Sequence, residues 1–282
     1  MKSKAKLVVL VGKGKNDKIY EKYKENEEHS ILLPVERMLA MTADVSSIPG
    51  KGGYALEEKW PEIEGTMPDN LSKPSQWVIQ HAAQALGGEA RIMNGAWRWI
   101  GEDGEDTLMY FAPPAPKQMW PIVATAVYML ELAAAQHSDE ADLPVQSLYV
   151  EEPEGLLNQE QIVAVTEILS CLVNNGINIT IATNEPLVPM TLNALMRASE
   201  IDEDKVKEYS GAILPPKEAI LLPESVDAYE VSSSGEEEER IIDENGEIIE
   251  DGLRTGEEKV YRYFNVIQYM SERRDEEGCN WG

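Results

Sequence analysis

The segment LYVEEPEGLLNQEQ, Leu148 to Gln161, runs an apolar stretch into two adjacent carboxylates, Glu151 and Glu152, followed by Pro153 and Glu154. Removing an unpaired carboxylate from water is costly, or shifts its pKa upward. An acidic pair at the end of an apolar strand therefore implies either chemistry or a local partner. The chemistry it suits is phosphoryl transfer. Strand side chains alternate, so one carboxylate can hold a hydrated Mg2+ while the next orients or deprotonates a water. The local alternative is that both acids cap the following helix or pair with a basic neighbour. In open parallel sheets functional groups gather at the carboxyl ends of strands, which is where this pair falls.

The elements around the pair are legible from periodicity. Gln146 to Val150 reads as a strand, Gln159 to Asn174 as a helix closed by Asn175-Gly176, and Ile177 to Ala182 as a second strand. Strand, helix and strand at that spacing predict a parallel crossover. Upstream, Met119 to Ala135 is apolar almost all round, with Pro121 in its first turn, and is expected deep in a core. Ser75 to Leu86 predicts a helix stopped by Gly87-Gly88, and ARIMNGAWRWIGEDGEDTLMYFA predicts a β-meander turning at Asn94-Gly95 and at Gly101 to Glu105. His29 to Met41 reads as a short strand broken at Pro34, and residues 42 to 72 as a surface excursion. A helix over Thr191 to Ser199, an acidic hairpin region over Val226 to Ile249, and a last helix opened by Thr255-Gly256-Glu257-Glu258 complete the chain.

KLVVLVGKGKNDKIYEKY tempts a phosphate-loop reading. A phosphate loop needs G-x-x-x-x-G-K-[ST], so that backbone N–H groups wrap the phosphates, a lysine reaches them and a hydroxyl holds Mg2+. No Gly-Lys-Ser/Thr occurs in the chain, and the stretch is expected to be a hairpin with a Gly12 to Asp17 turn. His29, His81 and His137 have no ligand-spaced companions, so no metal site is expected of them. Trp97, Trp99 and Trp120 suit a buried face better than a base-stacking surface. Gly235 to Glu239 lacks the spacing of a Ca2+ loop. Cys171 and Cys279 are expected to be plain thiols.

With 282 residues, 43% apolar content and six tryptophans, the chain can bury a sizeable core. Its net charge of −26 opposes general attraction to nucleic acid or anionic membrane. Lysines at positions 2, 4, 6, 13, 15, 18, 22 and 24 form a basic strip that leaves nucleic-acid contact to the N-terminus or to a partner. No secretory leader or bilayer-spanning run is evident, so a cytoplasmic address is expected.

The pattern around the acidic pair resembles the Walker B and D-loop segment of ABC-type ATPases, in particular prokaryotic relatives of SMC and overcoming-lysogenisation-defect ATPases. That family reads close to I-E-E-P-E-x-x-L-x-P-x-x-Q. The resemblance gives Glu151 the Mg2+-water position, Glu152 the catalytic base, and Glu154 a place in the loop that meets an opposing subunit. LLPVER, Leu32 to Arg37, is similar to the strand before the helical region. Met109 to Leu130 stands at the signature segment, with Lys117 and Gln118 as nucleotide-binding candidates, and TNEP, Thr183 to Pro186, stands at the T-H-S-P switch. The resemblance covers about residues 29 to 270. It implies an α/β fold, an ABC-ATPase-like (P-loop NTPase-type) central, largely parallel sheet with flanking helices plus an antiparallel β-meander.

The departures from the family are as specific. The phosphate loop is expected to be missing, belonging to a segment before the LLPVER strand that the chain starts too late to contain. Ala112-Pro113-Pro114-Ala115-Pro116-Lys117-Gln118 replaces the signature serine and glycine, and Asn184 replaces the switch histidine. The resemblance therefore implies a degenerate ABC-type ATPase head, inactive as an isolated chain, with a truncated core over 1–225 and an acidic hairpin and C-terminal helix over 226–282. ATP and Mg2+ are the implied cofactors. An ATPase or effector subunit, or a second copy, is the implied partner, as in DNA-repair or phage-defence assemblies. Two alternatives stand beside it. One is a split active ATPase whose phosphate loop comes from another chain. The other is a non-catalytic acidic scaffold.

Overall fold

The computed structural model describes residues 5–25, 30–41, 60–64, 71–136, 146–200, 215–234, 238–244 and 246–249. Strand β1 (Leu7–Val11) leads into helix α1 (Lys15–Glu25), and β2 (Ser30–Leu33) leads into a 3-10 turn over Val35–Met41. Helix α2 (Lys73–Leu86) precedes the strands β3 (Gly88–Met93), β4 (Ala96–Gly101) and β5 (Asp106–Leu108). Helix α3 (Pro114–Gln136), strand β6 (Ser147–Glu151), helix α4 (Gln159–Asn174), strand β7 (Asn178–Ala182) and helix α5 (Leu187–Ala198) follow, and β8 (Val226–Val231) with β9 (Glu238–Arg240) ends the series.

Six of these strands form one sheet in the order β2-β6-β7-β1-β8-β9, parallel throughout except for β9. Strands β1, β2 and β6 are nearly continuous apolar runs, as expected when both faces are covered, whereas β8 and β9 at one edge carry charged residues. Tyr149, Leu10 and Leu32 pack with Ile19 and Tyr23 of α1, one helical turn apart. By alternation Leu148 and Val150 face the other way, and both are fully buried. The architecture is a largely parallel sheet flanked by helices, with a separate antiparallel sheet β3-β4-β5, consistent with a P-loop NTPase-like fold.

Most of the expected elements are present. The β6–α4–β7 unit is parallel with Glu151 opposite Ala182. Helix α4 opens with a capping box between Asn158 and Gln161, which satisfies two otherwise orphaned N–H groups and contributes about 1 kcal/mol. The meander turns at Asn94 and Gly95, both at positive φ. Trp97 and Trp99 are buried, and Trp99 meets Trp120 edge to face at 6.2 Å, so these rings belong to the core.

Three expectations are corrected. Residues 7 to 25 form a strand and a helix, with no hairpin, and β1 lies in the middle of the main sheet between β7 and β8. Helix α3 begins at Pro114, so Pro121 lies inside it and not in its first turn. Pro114 and Pro116 take the first turn instead, where a missing N–H costs least. Helix α3 is long and apolar enough to cross a membrane by length and composition, and 72% of that window is buried inside the fold. Finally, β8, expected to open an appendage at residue 226, pairs in parallel with β1. The chain divides into compact units at Met1–Ile248 and Ile249–Gly282. The expected C-terminal helix, His29, His137, Cys279 and most of the Gly235 to Glu239 turn lie outside the described residues.

Candidate functional site

The carboxyl ends of β6, β7 and β1 converge on the acidic pair. Glu151 is the last residue of β6, and Glu152 turns the chain away with φ +44, a left-handed conformation unusual for a side chain this size. Its N–H donates to the Ala182 carbonyl (2.8 Å). The chain is held in this turn by Arg37, which is fully buried. The Arg37 guanidinium donates to the carbonyls of Glu151 (2.7 Å), Glu152 (2.9 Å), Pro34 (3.0 Å) and Gln118 (3.2 Å). A planar fork of donors suits four carbonyls at a strand end as no other side chain does.

The two carboxylates then separate. Glu151 Oε2 accepts from the Val35 N–H (3.3 Å). Glu152 Oε1 lies 3.1 Å from the Lys15 ammonium, which reaches it from the first turn of α1 with its side chain only 8% exposed. Lys15 is a residue the sequence reading left unassigned, inside the stretch taken for a hairpin. Its signal was the strand–glycine–lysine order together with Ile19 and Tyr23 at helical spacing behind it.

Lys15 is carried by a strand, turn and helix unit, β1 to α1, whose strand lies inside the main sheet. Its turn is short. Only Gly12, Lys13 and Gly14 separate β1 from α1. Gly12 has φ +93, and a Cβ there would sit 2.5 Å from the Val231 carbonyl oxygen. The Gly12 N–H donates to Asn184 Oδ1 (2.9 Å), so the residue at the switch position ties down the turn. Asn16 follows Lys15 where a phosphate loop carries a hydroxyl, and its Oδ1 is buried without a partner.

Glu154 joins the same cluster. Its Oε1 accepts from the Thr183 hydroxyl (2.8 Å), while Oε2 is buried without a partner. Burial pushes this carboxyl above the ordinary carboxylate range; the Glu152 charge adds to the rise, and the Thr183 hydrogen bond and Arg37 oppose it. A folded-state pKa above the unfolded one means that the native chain holds the proton more tightly. Stability is then greatest below the ordinary carboxylate pKa and falls as pH rises through the raised value. Glu154→Gln keeps an acceptor for Thr183 and removes this titration. In urea denaturation from about pH 4 to pH 8, the variant is expected to gain stability relative to the parent as pH rises. A parallel pH dependence in the two proteins contradicts this.

Gln118 belongs to the cluster and Lys117 does not. Gln118 is buried, donates from Nε2 to the Val35 carbonyl (3.1 Å), and leaves Oε1 unpaired. Lys117 donates to the Tyr110 carbonyl (3.3 Å), away from the carboxylates. The structure thus brings together Glu151, Glu152, Glu154, Asn184 and Gln118, adds Lys15, Arg37 and Thr183, and leaves Lys117 apart. Within the described part of the basic strip, Lys18 and Lys22 meet Glu238 at 3.0 and 3.4 Å, and Lys6 meets Asp227 at 3.5 Å. Among the described residues no group of three His, Cys, Asp or Glu side chains could hold a metal ion, His81 included.

No family model and no curated protein matches the chain. Among solved structures it is similar to the Smc head domain with an extended coiled coil bound to the C-terminal domain of ScpA, from Pyrococcus furiosus, at 12% identity and a TM-score of 0.32. That alignment covers 63% of this chain and 48%, about half, of the other.

Proposed function

We propose that the chain is a degenerate ABC-type ATPase head that serves as a binding or regulatory subunit without hydrolysing ATP itself. The observation that carries this reading is the Lys15–Glu152 pair. In an ATPase of this kind the lysine grips phosphate oxygens and the carboxylate activates water; here each neutralises the other at 3.1 Å.

The residues fit Mg-ATP poorly. A turn of three residues offers too few N–H groups to wrap a phosphate chain, and the Gly12 N–H is already given to Asn184. Asn16 supplies a neutral amide in place of a hydroxyl. One oxygen of Glu151 accepts from Val35. Asn184 cannot gain a proton near neutral pH as histidine can. Charge stabilisation is most of what such a site contributes to phosphoryl transfer, and these groups do not supply it.

A protein partner in a larger assembly, of the DNA-repair or phage-defence kind, remains part of the proposal, as does a cytoplasmic setting. The test is kinetic. The purified chain is expected to release phosphate from Mg-ATP at the background rate, with Glu152→Gln indistinguishable from it. Turnover that disappears in Glu152→Gln overturns the reading.

A further inference from the structure

The antiparallel sheet carries an exposed apolar surface that the nucleotide reading does not use. The chain has two phenylalanines, and one of them, Phe111, is 72% exposed beside Tyr110 at 64% and Leu108 at 41%. The Tyr110 and Phe111 rings meet edge to face at 5.2 Å and so form one aromatic patch. Contiguous exposed apolar side chains on a folded protein are uncommon and mark interaction sites.

Phe111 forms one wall of a cleft of about 600 Å3 between the β4–β5 turn and the start of α3. Trp99, Pro113 and Pro116 supply its apolar lining. Glu102, Asp103 and Glu105 also line it, and among the described residues no lysine or arginine does. Arg98, on strand β4, is held by Asp106 at 2.6 Å, and among the described residues no cation pairs with the three acids. An aromatic and proline floor beside three such carboxylates matches a chain with alternating apolar and cationic side chains. Its apolar groups displace water from Phe111, and its cations meet the rim and the ring face.

We propose that this cleft receives a basic segment of a partner protein, anchored by an apolar side chain against Phe111 and by lysine or arginine against Glu102, Asp103 and Glu105. The site is built from the meander, the start of α3 and the adjoining ends of α2 and α4, and stands whether or not the chain binds nucleotide.

Fluorescence anisotropy with a labelled heptapeptide alternating arginine and leucine, and with its glutamate-leucine counterpart, tests this on the full chain. The arginine peptide is expected to bind and the glutamate peptide not. Glu102→Gln/Asp103→Asn/Glu105→Gln is expected to weaken binding by about tenfold, and Phe111→Ser by about fivefold. All four positions are solvent-facing, and circular dichroism melts are expected to match the parent. Glu200→Gln/Glu239→Gln/Glu244→Gln removes equal charge from exposed positions elsewhere and is expected to leave affinity within about twofold. Equal loss in the two triple variants makes the attraction a property of net charge and overturns the proposal. So does Phe111→Ser binding like the parent, the absence of arginine-peptide binding, or a parent dimer that Phe111→Ser dissociates, which would make the surface an interface between copies.

Discussion

Arg37→Ala is expected to lose about 3–5 kcal/mol of unfolding free energy, read as a lowered urea midpoint, because no replacement can serve the carbonyls it leaves. The guanidinium donates to four backbone carbonyls from three parts of the chain, in a fully buried position. Hydrogen bonds from a charged donor contribute about 1.5–3 kcal/mol each, and buried carbonyls left unpaired carry their own penalty. A domain of ordinary stability has only about 5–15 kcal/mol in total, so poor soluble yield is the companion expectation. Arg37→Lys is expected to recover little, since a single ammonium cannot present a planar fork. A loss below about 1 kcal/mol in the alanine variant would show that the β6 end holds its shape without the guanidinium.

Gly12→Ala carries the second large effect, about 2–3 kcal/mol, from two sources. The position has φ +93, where a side chain is strained, and the added Cβ would lie 2.5 Å from the Val231 carbonyl oxygen. Gly95→Ala is the control. It shares the positive φ, +73, but nothing lies within 4 Å of its added Cβ, so it is expected to lose only about 1 kcal/mol. Equal losses in the two variants would mean that the approach of β8 to the turn matters little. The comparison bears on function because this turn sets where Lys15 points.

The acidic pair was legible because it interrupts a buried strand, and a strand's end is visible in sequence. Glu151 and Glu152 stand at a sheet terminus as their context requires, and the β6–α4–β7 unit follows from its apolar spacing. Lys15 was not legible for a physical reason. Gly12 to Asp17 is turn chemistry in a hairpin and in a strand-to-helix connection alike, and α1 has few buried apolar anchors, Ile19 and Tyr23, among lysines and glutamates. What selects the helix is pairing of β1 with β7 and β8, strands more than 160 residues along the chain. Arg37 lies within the LLPVER segment, yet its role is hidden in sequence because its partners are backbone carbonyls up to 115 residues away, which leave no trace in side-chain pattern. The apolar run that marks α3 in sequence begins only at Met119, whereas its first turn is built from Pro114 and Pro116, which fit there without an N–H.

Titration calorimetry of the purified chain with Mg-ATP, run on the parent and on Lys15→Met, is the decisive experiment. No heat of saturable binding is expected in either protein across the physiological nucleotide range, because Lys15 is engaged by Glu152 and the turn between β1 and α1 is only three residues long. Saturable Mg2+-dependent binding to the parent that Lys15→Met abolishes would contradict this, showing that the lysine leaves Glu152 for phosphate and that the site is still a working nucleotide pocket.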